Sequence, residues 1–383
     1  AEDDGAIQDG AAISVVNRTG YKGLGTVTVS GGEFTAKEGN SAIKAYDWAN
    51  KTESDFTADK GTVAVSGGTF SSAVPADLCA EGYVPAANDD GTYGVKVAPV
   101  AKIGTVEYAT LADAIAAAAK GSTVTLLADT RENVTIDKAL TLDLNGFTLN
   151  GGTVEAKPAL TITARTVTIK DSSEAQTGTI MREDTAENSG VSSHYVIDIQ
   201  GNAWVMFESG KVTNNSGSAA GKGASLVRIG DDRVAKQPGL VIKGGTFTQD
   251  NFIVIKVGRG YLTLNGGTLN SANSYAIENW FRATIKGGTV NGTAAAWTYS
   301  GGFNSTLTVE GGTINGDVES VSYDGSTGKK ASVSITGGTV NGALGTYIYS
   351  NGLTATEDAT KATIGITGGT FANDPTKYVV EGA

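Results

Sequence analysis

One tetrapeptide constrains this chain more than any other feature. Gly-Gly-Thr followed by an apolar residue begins at Gly67, Gly151, Gly244, Gly266, Gly287, Gly311, Gly337 and Gly368, with Gly31-Gly32-Glu33-Phe34 as a variant. From Gly244 onward the copies lie 22, 21, 24, 26 and 31 residues apart. A short alternating stretch precedes each copy, as in Leu240-Val-Ile-Lys, Leu262-Thr-Leu-Asn and Leu307-Thr-Val-Glu. Another lies further upstream, as in Leu226-Val-Arg-Ile and Tyr275-Ala-Ile-Glu. A unit this short cannot bury its own apolar face. Coiling the chain so that each strand pairs with its equivalent one turn on, about 4.8 Å away, solves the problem.

Alternation then sends Val, Ile and Leu inward and Thr, Lys and Glu outward. The glycine pair supplies positive φ at a corner where no Cβ fits. The next residue should stack with its equivalents as a row of Thr246, Thr268, Thr289, Thr313, Thr339 and Thr370. Asn291, Asn315 and Asn341, each before Gly or Gly-like corners, are expected in the left-handed region and in a side-chain ladder. A β-propeller would need about 40 residues per blade, roughly twice the observed step. The expected class is therefore all-β, a right-handed parallel β-helix or solenoid.

Composition agrees. The 383 residues include 53 glycines and only 6 prolines, with no collagen-like period. Apolar residues make up 40%, enough for a core. The net charge of -11 argues against a phosphate-binding surface, so no nucleic-acid partner is expected. A single Cys79 excludes an intrachain disulfide, and one cysteine with one histidine offers no zinc pattern. No apolar run reaches 18 residues, so no membrane-inserted helix is expected. No metal or other cofactor is implied.

The repeat breaks once, between Val74 and Val97. Beyond it, Leu111-Ala-Asp-Ala-Ile-Ala-Ala-Ala-Ala-Lys120 is the one amphipathic helix, through Leu111, Ala114, Ile115 and Ala118. A short helix near 111–120 suits the task of covering the open first turn of an array. Residues 1–97 thus read as the last turns and tail of one solenoid, and residues 98–383 as a second with a helical cap. Gly368 through Gly382 parallels Gly67 through Gly82 and then stops, which reads as a truncated tail from a tandem series of such modules.

The run Val106-Glu-Tyr-Ala-Thr-Leu-Ala-Asp-Ala-Ile, then Gly121-Ser-Thr-Val-Thr-Leu-Leu-Ala-Asp, then Leu140-Thr-Leu-Asp-Leu-Asn-Gly resembles the start of pectate-lyase-like β-helix repeat proteins. The segment Asp89-Asp-Gly-Thr-Tyr-Gly-Val-Lys is similar to the stretch joining such modules. The resemblance implies a β-helix in a large, extracellular or cell-surface protein of gut anaerobic bacteria. It implies activity only weakly, because most such modules carry no assigned chemistry.

The β-helix superfamily also contains pectin lyases and glycoside hydrolases. Polygalacturonase-like enzymes need, among other motifs, an Asp-Asp and a Gly-His-Gly. Asp231-Asp232 is present, but the only histidine, His194, stands in Ser-Ser-His-Tyr. Inverting hydrolysis needs paired carboxylates, and Asp231 with Asp232 is equally a solvated turn. Arg228, Arg233, Arg259 and Arg282 fall on neighbouring turns without an evident acidic cluster for a lyase. Lys44, Arg228, Lys256 and Glu278 are expected outward on the first strand of their turns, with Lys256 and Glu278 partly paired.

Aromatic residues gather where that strand ends. Period-two alignment places Trp297, Tyr299 and Tyr323 inside the lumen. It places Trp48, Trp280, Phe281, Phe303 and Tyr349 at or outside the corner, where a row of rings could hold sugars or a surface protein. Length variation is expected almost wholly between that strand and the Gly-Gly corner. The expected function is a non-catalytic surface or adhesin-type solenoid, acting as a stalk or as a glycan- or protein-binding module. The alternative is a carbohydrate-active enzyme, a polysaccharide lyase or glycoside hydrolase, with its site on the loops after the first strand.

Overall fold

A computed structural model describes residues 10–17, 26–47, 62–153, 157–183, 195–214, 225–250, 252–325 and 328–382. The chain divides into two compact units, Ala1–Ala98 and Pro99–Ala383. In the first unit, strand Ile13–Asn17 pairs in parallel with Ile43–Asp47, and Thr26–Phe34 with Thr62–Phe70. Val15, Val29, Ile43, Val65 and Phe70 form its core. The Phe34 and Phe70 rings stack 5.0 Å apart. Tyr83–Ala87 and Tyr93–Val97 form an antiparallel hairpin whose Tyr93 pairs with Phe70.

The second unit consists of three long sheets of 12, 10 and 10 strands, parallel throughout except at their ends. Each coil adds one strand to each sheet, in the order sheet one, sheet two, sheet three. Gly239–Ile242, Thr246–Thr248 and Ile255–Val257 make up one such coil, and Tyr261–Leu264, Thr268–Asn270 and Ile277–Asn279 the next. This is a solenoid-like β architecture. Inward residues from all three sheets, such as Ile242, Phe247 and Ile255, meet in one apolar core.

From Gly244 onward the Gly-Gly corner joins sheet one to sheet two, and its two glycines have different jobs; the copy at Gly151-Gly152 instead follows strand Thr148–Asn150 and leaves sheet two for sheet three. A Cβ on Gly287 would fall 2.5 Å from the Asn265 carbonyl oxygen of the preceding coil. Gly288 takes φ +81°, which side-chain-bearing residues rarely adopt. So the first glycine allows close stacking and the second makes the turn. The next residue is in register from coil to coil, giving the continuous row Thr246, Thr268, Thr289, Thr313, Thr339 and Thr370.

Asparagines form the expected ladder beside it. Asn291, Asn315 and Asn341 each donate an amide N–H at 2.7 Å to the Oδ1 of the asparagine one coil earlier, starting at Asn270. They are not left-handed, however; among the described residues only Asn145, Thr166 and Gln176 have positive φ without being glycine. The ladder needs extended backbone, because its amides must point along the stack.

The helix runs Leu111–Ala117 and is shorter than expected, since Ala118 already turns to ψ 128° ahead of Gly121 at φ +84°. Thr110 Oγ1 accepts from the Asp113 amide at 3.0 Å. The Glu132 carboxylate accepts from the Leu111 and Ala112 amides at 2.8 and 3.0 Å. Those bonds satisfy donors a helix start leaves open. Leu111, Ala114 and Ile115 are buried against Ala101–Ile103, Val106–Tyr108, Thr123–Leu126 and Val134–Ile136, the first strands of sheets one and three.

Both units finish their last coil alike. A single 3-10 turn follows, at Ala76–Leu78 in the first and Thr376–Tyr378 in the second. It returns the chain to pair Cys79 with Val65, or Val379 with Ile366.

Candidate functional site

Sheet three presents one outward residue from the middle of each short strand. Register sets them in a single file: Thr135, Thr161, Asp198, Arg228, Lys256, Glu278, Trp297, Glu319 and Gly345. The file changes character along its length, from hydroxyls to ion pairs to aromatic rings. Neighbours in it are about one strand spacing apart, so each pair interacts.

The charged stretch is tightly bonded. Arg228 donates from Nε and Nη2 to the two Asp198 oxygens at 2.8 and 2.7 Å, and from Nη1 to Asp231 Oδ2 at 3.1 Å. Its guanidinium lies 4.5 Å over the Tyr195 ring. Lys256 Nζ stands 3.5 Å from Glu278 Oε2 and 4.4 Å over the Trp280 ring. Trp280 Nε1 in turn donates to Glu278 Oε1 at 3.0 Å. Burial pushes the Glu278 carboxyl above its ordinary value, outweighing Lys256 and the Trp280 bond, which pull it down.

A groove runs along this face. A cleft of about 510 Å³ opens over Thr135, Thr161, Asp198 and Arg228, walled by Lys157 and Tyr195 on one side and by Gln200 and Arg233 on the other. A second, of about 270 Å³, shares Tyr195, Arg228 and Arg233 with it and continues past Lys256 to Trp280. Loops 230–238, 301–304, 324–330 and 356–361 leave sheet three for sheet one, all on one side, while the early long connections 183–196 and 215–226 join sheet two to sheet three. The expectation that length variation lies almost wholly after the first strand is corrected by those early connections.

Asp231 and Asp232 sit in the loop after strand Val227–Ile229. Asp231 accepts from the Arg233 backbone N–H at 2.9 Å, Nε at 3.0 Å and Nη2 at 2.9 Å, as well as from Arg228. Those bonds hold its carboxyl far below the usual range, Arg233 contributing most. A carboxylate so stabilised has no proton to give and is a poor base. Asp232 is exposed beside it. Of the other arginines considered for lyase chemistry, Arg259 lies 4.7 Å over the Phe303 ring and Arg282 5.2 Å over Phe281. Among the described residues no group of three His, Cys, Asp or Glu could hold a metal ion.

The rings are where the structure departs most from expectation. Trp297 and Tyr299 do not fill the lumen; Ala296, Thr298 and Ser300 do, in register with Val318, Ser320 and Ser322. Trp297 follows Glu278 in the outward file, and Tyr299, Tyr323 and Tyr349 lie outward with it. They form their own apolar cluster with Tyr275, Trp280, Val321 and Tyr347, separate from the core. Tyr275 stacks on Trp297 at 5.2 Å, Trp297 on Tyr299 at 4.7 Å with only 9° between planes, and Trp280 tilts onto Tyr299 at 5.3 Å. Trp297 and Tyr299 at its centre are buried, each 9% exposed, and Tyr323 and Tyr349 at the edge are 38% and 41% exposed.

Of the expected ridge, Trp280 and Tyr349 belong to this patch. Phe281 does not: it is 9% exposed and part of the main core, contacting Tyr261 and Phe303 edge-on at 5.7 and 5.8 Å. Phe303 is half-buried and packs on that core under Arg259. Both rings seal the corner between sheets three and one. Trp48 and His194 lie outside the described residues. Tyr275 and Glu319 went unread in the sequence, although the apolar-then-outward pairs Ile277-Glu278, Ala296-Trp297 and Val318-Glu319 give the register that finds Glu319. No protein-family model, curated protein or solved structure matches the chain.

Proposed function

We propose that the chain is a right-handed parallel β-helix module of the pectate-lyase-like repeat type, displayed outside the cell, that holds an extended glycan across the outer face of sheet three without cleaving it. The observation that supports this most is the outward aromatic patch continuous with a polar groove. Ring faces suit the apolar faces of sugars, and the groove offers hydroxyl, amide and charged partners for their hydroxyls. The arrangement runs parallel to the axis over many coils, so its natural occupant is a chain rather than a compact molecule. Among the described residues of the groove, Asp231 is committed to two arginines, which disfavours a role in hydrolysis. In the native setting, neighbouring modules of the same kind would extend the rod and carry this face away from the surface.

A panel of pectic, mucin-type and other polysaccharides, scored for both binding and reducing-end release, tests the reading. Binding without release is expected. Release abolished by Asp231→Asn or Asp232→Asn would replace the binder with the enzyme. Binding of a surface protein alone, with every glycan ignored, would remove sugars as the ligand.

A further inference from the structure

One carboxylate in the aromatic patch has no partner. Glu319 makes neither a hydrogen bond nor an ion pair among the described residues, although it is only partly exposed. The charged side chains around it are committed elsewhere. Lys256 faces Glu278 at 3.5 Å, Lys377 pairs with Glu357, and Asp317 accepts the Ala343 amide at 2.7 Å. Burial, with help from Asp317, pushes the Glu319 carboxyl above its ordinary value, as expected of an acid short of a counter-charge.

What surrounds Glu319 is aromatic. On one side its neighbour in the outward file is Trp297, backed by Tyr275 at 5.2 Å. On the other side the file reaches Gly345, which has no side chain. The Tyr347 ring fills that place: a Cβ on Gly345 would fall 2.5 Å from Tyr347 Oη. The carboxylate is thus set between an indole and a phenol ring, with a second phenol behind. The half-buried rings of Tyr275 and Tyr347 beside one unpaired carboxylate suit an organic cation, since ring faces attract cations and the carboxylate supplies the charge.

We infer that Glu319, flanked by Tyr275 and Tyr347, receives the free ammonium group of an amino sugar. The inference rests on the glycan reading above and narrows it to chains carrying unacetylated hexosamine. Trp280 and the exposed Tyr323 and Tyr349 would contact adjoining rings of the chain while the ammonium sits on Glu319. A neutral, acetylated sugar would stack equally well but leave the carboxylate unpaired.

The test compares three probes on the full chain by calorimetry: a glucosamine tetrasaccharide, its N-acetylated counterpart and tetramethylammonium chloride. The wild type should prefer the glucosamine oligomer by about tenfold or more. Glu319→Gln, checked by its melting curve to be folded, should erase that preference while the acetylated oligomer binds as before. Equal binding of the two oligomers by the wild type, or a preference that survives Glu319→Gln, overturns the inference and leaves the glycan reading intact. Tetramethylammonium bound by the wild type but not by Glu319→Gln, with neither sugar bound, would support the cation pocket and overturn the glycan reading. A chain that ignores all three probes contradicts both.

Discussion

Ile115→Asp is expected to cost the Pro99–Ala383 unit roughly 4 kcal/mol or more and to lower its first melting transition by about 10 °C. Ile115 is 4% exposed and belongs to the main core, where the helix covers the first strands of sheets one and three. An aspartate there must either be buried without a partner or pull the helix away from the strands it covers. Detachment would expose Val124, Leu126, Val134 and Ile136, all buried beneath it or beside it. Stacked repeats lose cooperativity from an uncovered end, so the loss should show as a separate early transition in calorimetry. A melting profile identical to the wild type would mean that the helix does not shield the end of the array.

The second large effect belongs to the ion pairs under the groove. Arg228→Ala should destabilise by about 3 kcal/mol, because the Asp198 side chain, 4% exposed, keeps its charge and loses both arginine bonds. Gln200 Nε2, donating to Asp198 Oδ2 at 2.6 Å, is then its remaining side-chain partner. Adding Asp198→Asn should recover much of the loss, since a neutral amide is cheaper to bury than an unpaired carboxylate. Urea denaturation of the two single variants and the double variant gives the coupling directly. A fully additive result would show that the pair does not interact in solution.

The parts of this molecule that were legible in the sequence are those fixed by local chemistry. The corner at Gly287 and Gly288 admits no other residue in either place, so its recurrence revealed both the repeat and the threonine row. Arg228, Lys256 and Glu278 were placed correctly because their strands are three residues long and leave little choice of register. The later coils were misread for the opposite reason. Strands Ala296–Ser300 and Val318–Tyr323 are longer, and counting on from the preceding corner aligns Trp297 with Val321 rather than with Glu319. That alignment is the count of ten residues on from the preceding corner, Gly287 or Gly311, and it makes Trp297 inward only because the apolar Val321 reads as inward; hydrogen bonding between coils decides against it.

The early coils were less legible still. Between Gly151 and Gly244 the corner is made differently: the Asp171 carboxylate accepts the Gly146 and Gly178 amides at 2.8 and 2.6 Å, so no Gly-Gly-Thr marks the turn. The long connections 183–196 and 215–226 lie in that stretch. Phe281 was mistaken for a surface ring because it follows Trp280 directly; at a corner, consecutive residues point to opposite sides, and one of the two had to seal the core.

The central claim is that the ligand lies on the outer face of sheet three, against the rings. Calorimetric titration of the glycan selected by the panel into the wild type, Tyr349→Ala and Thr289→Ala tests it most directly. Tyr349 is the most exposed ring of the patch at 41%, and Thr289, in the threonine row of sheet two away from the patch, serves as the control. The account predicts at least a tenfold loss of affinity for Tyr349→Ala, with the melting curve retained, and no change for Thr289→Ala. Undiminished affinity in a folded Tyr349→Ala protein would contradict it.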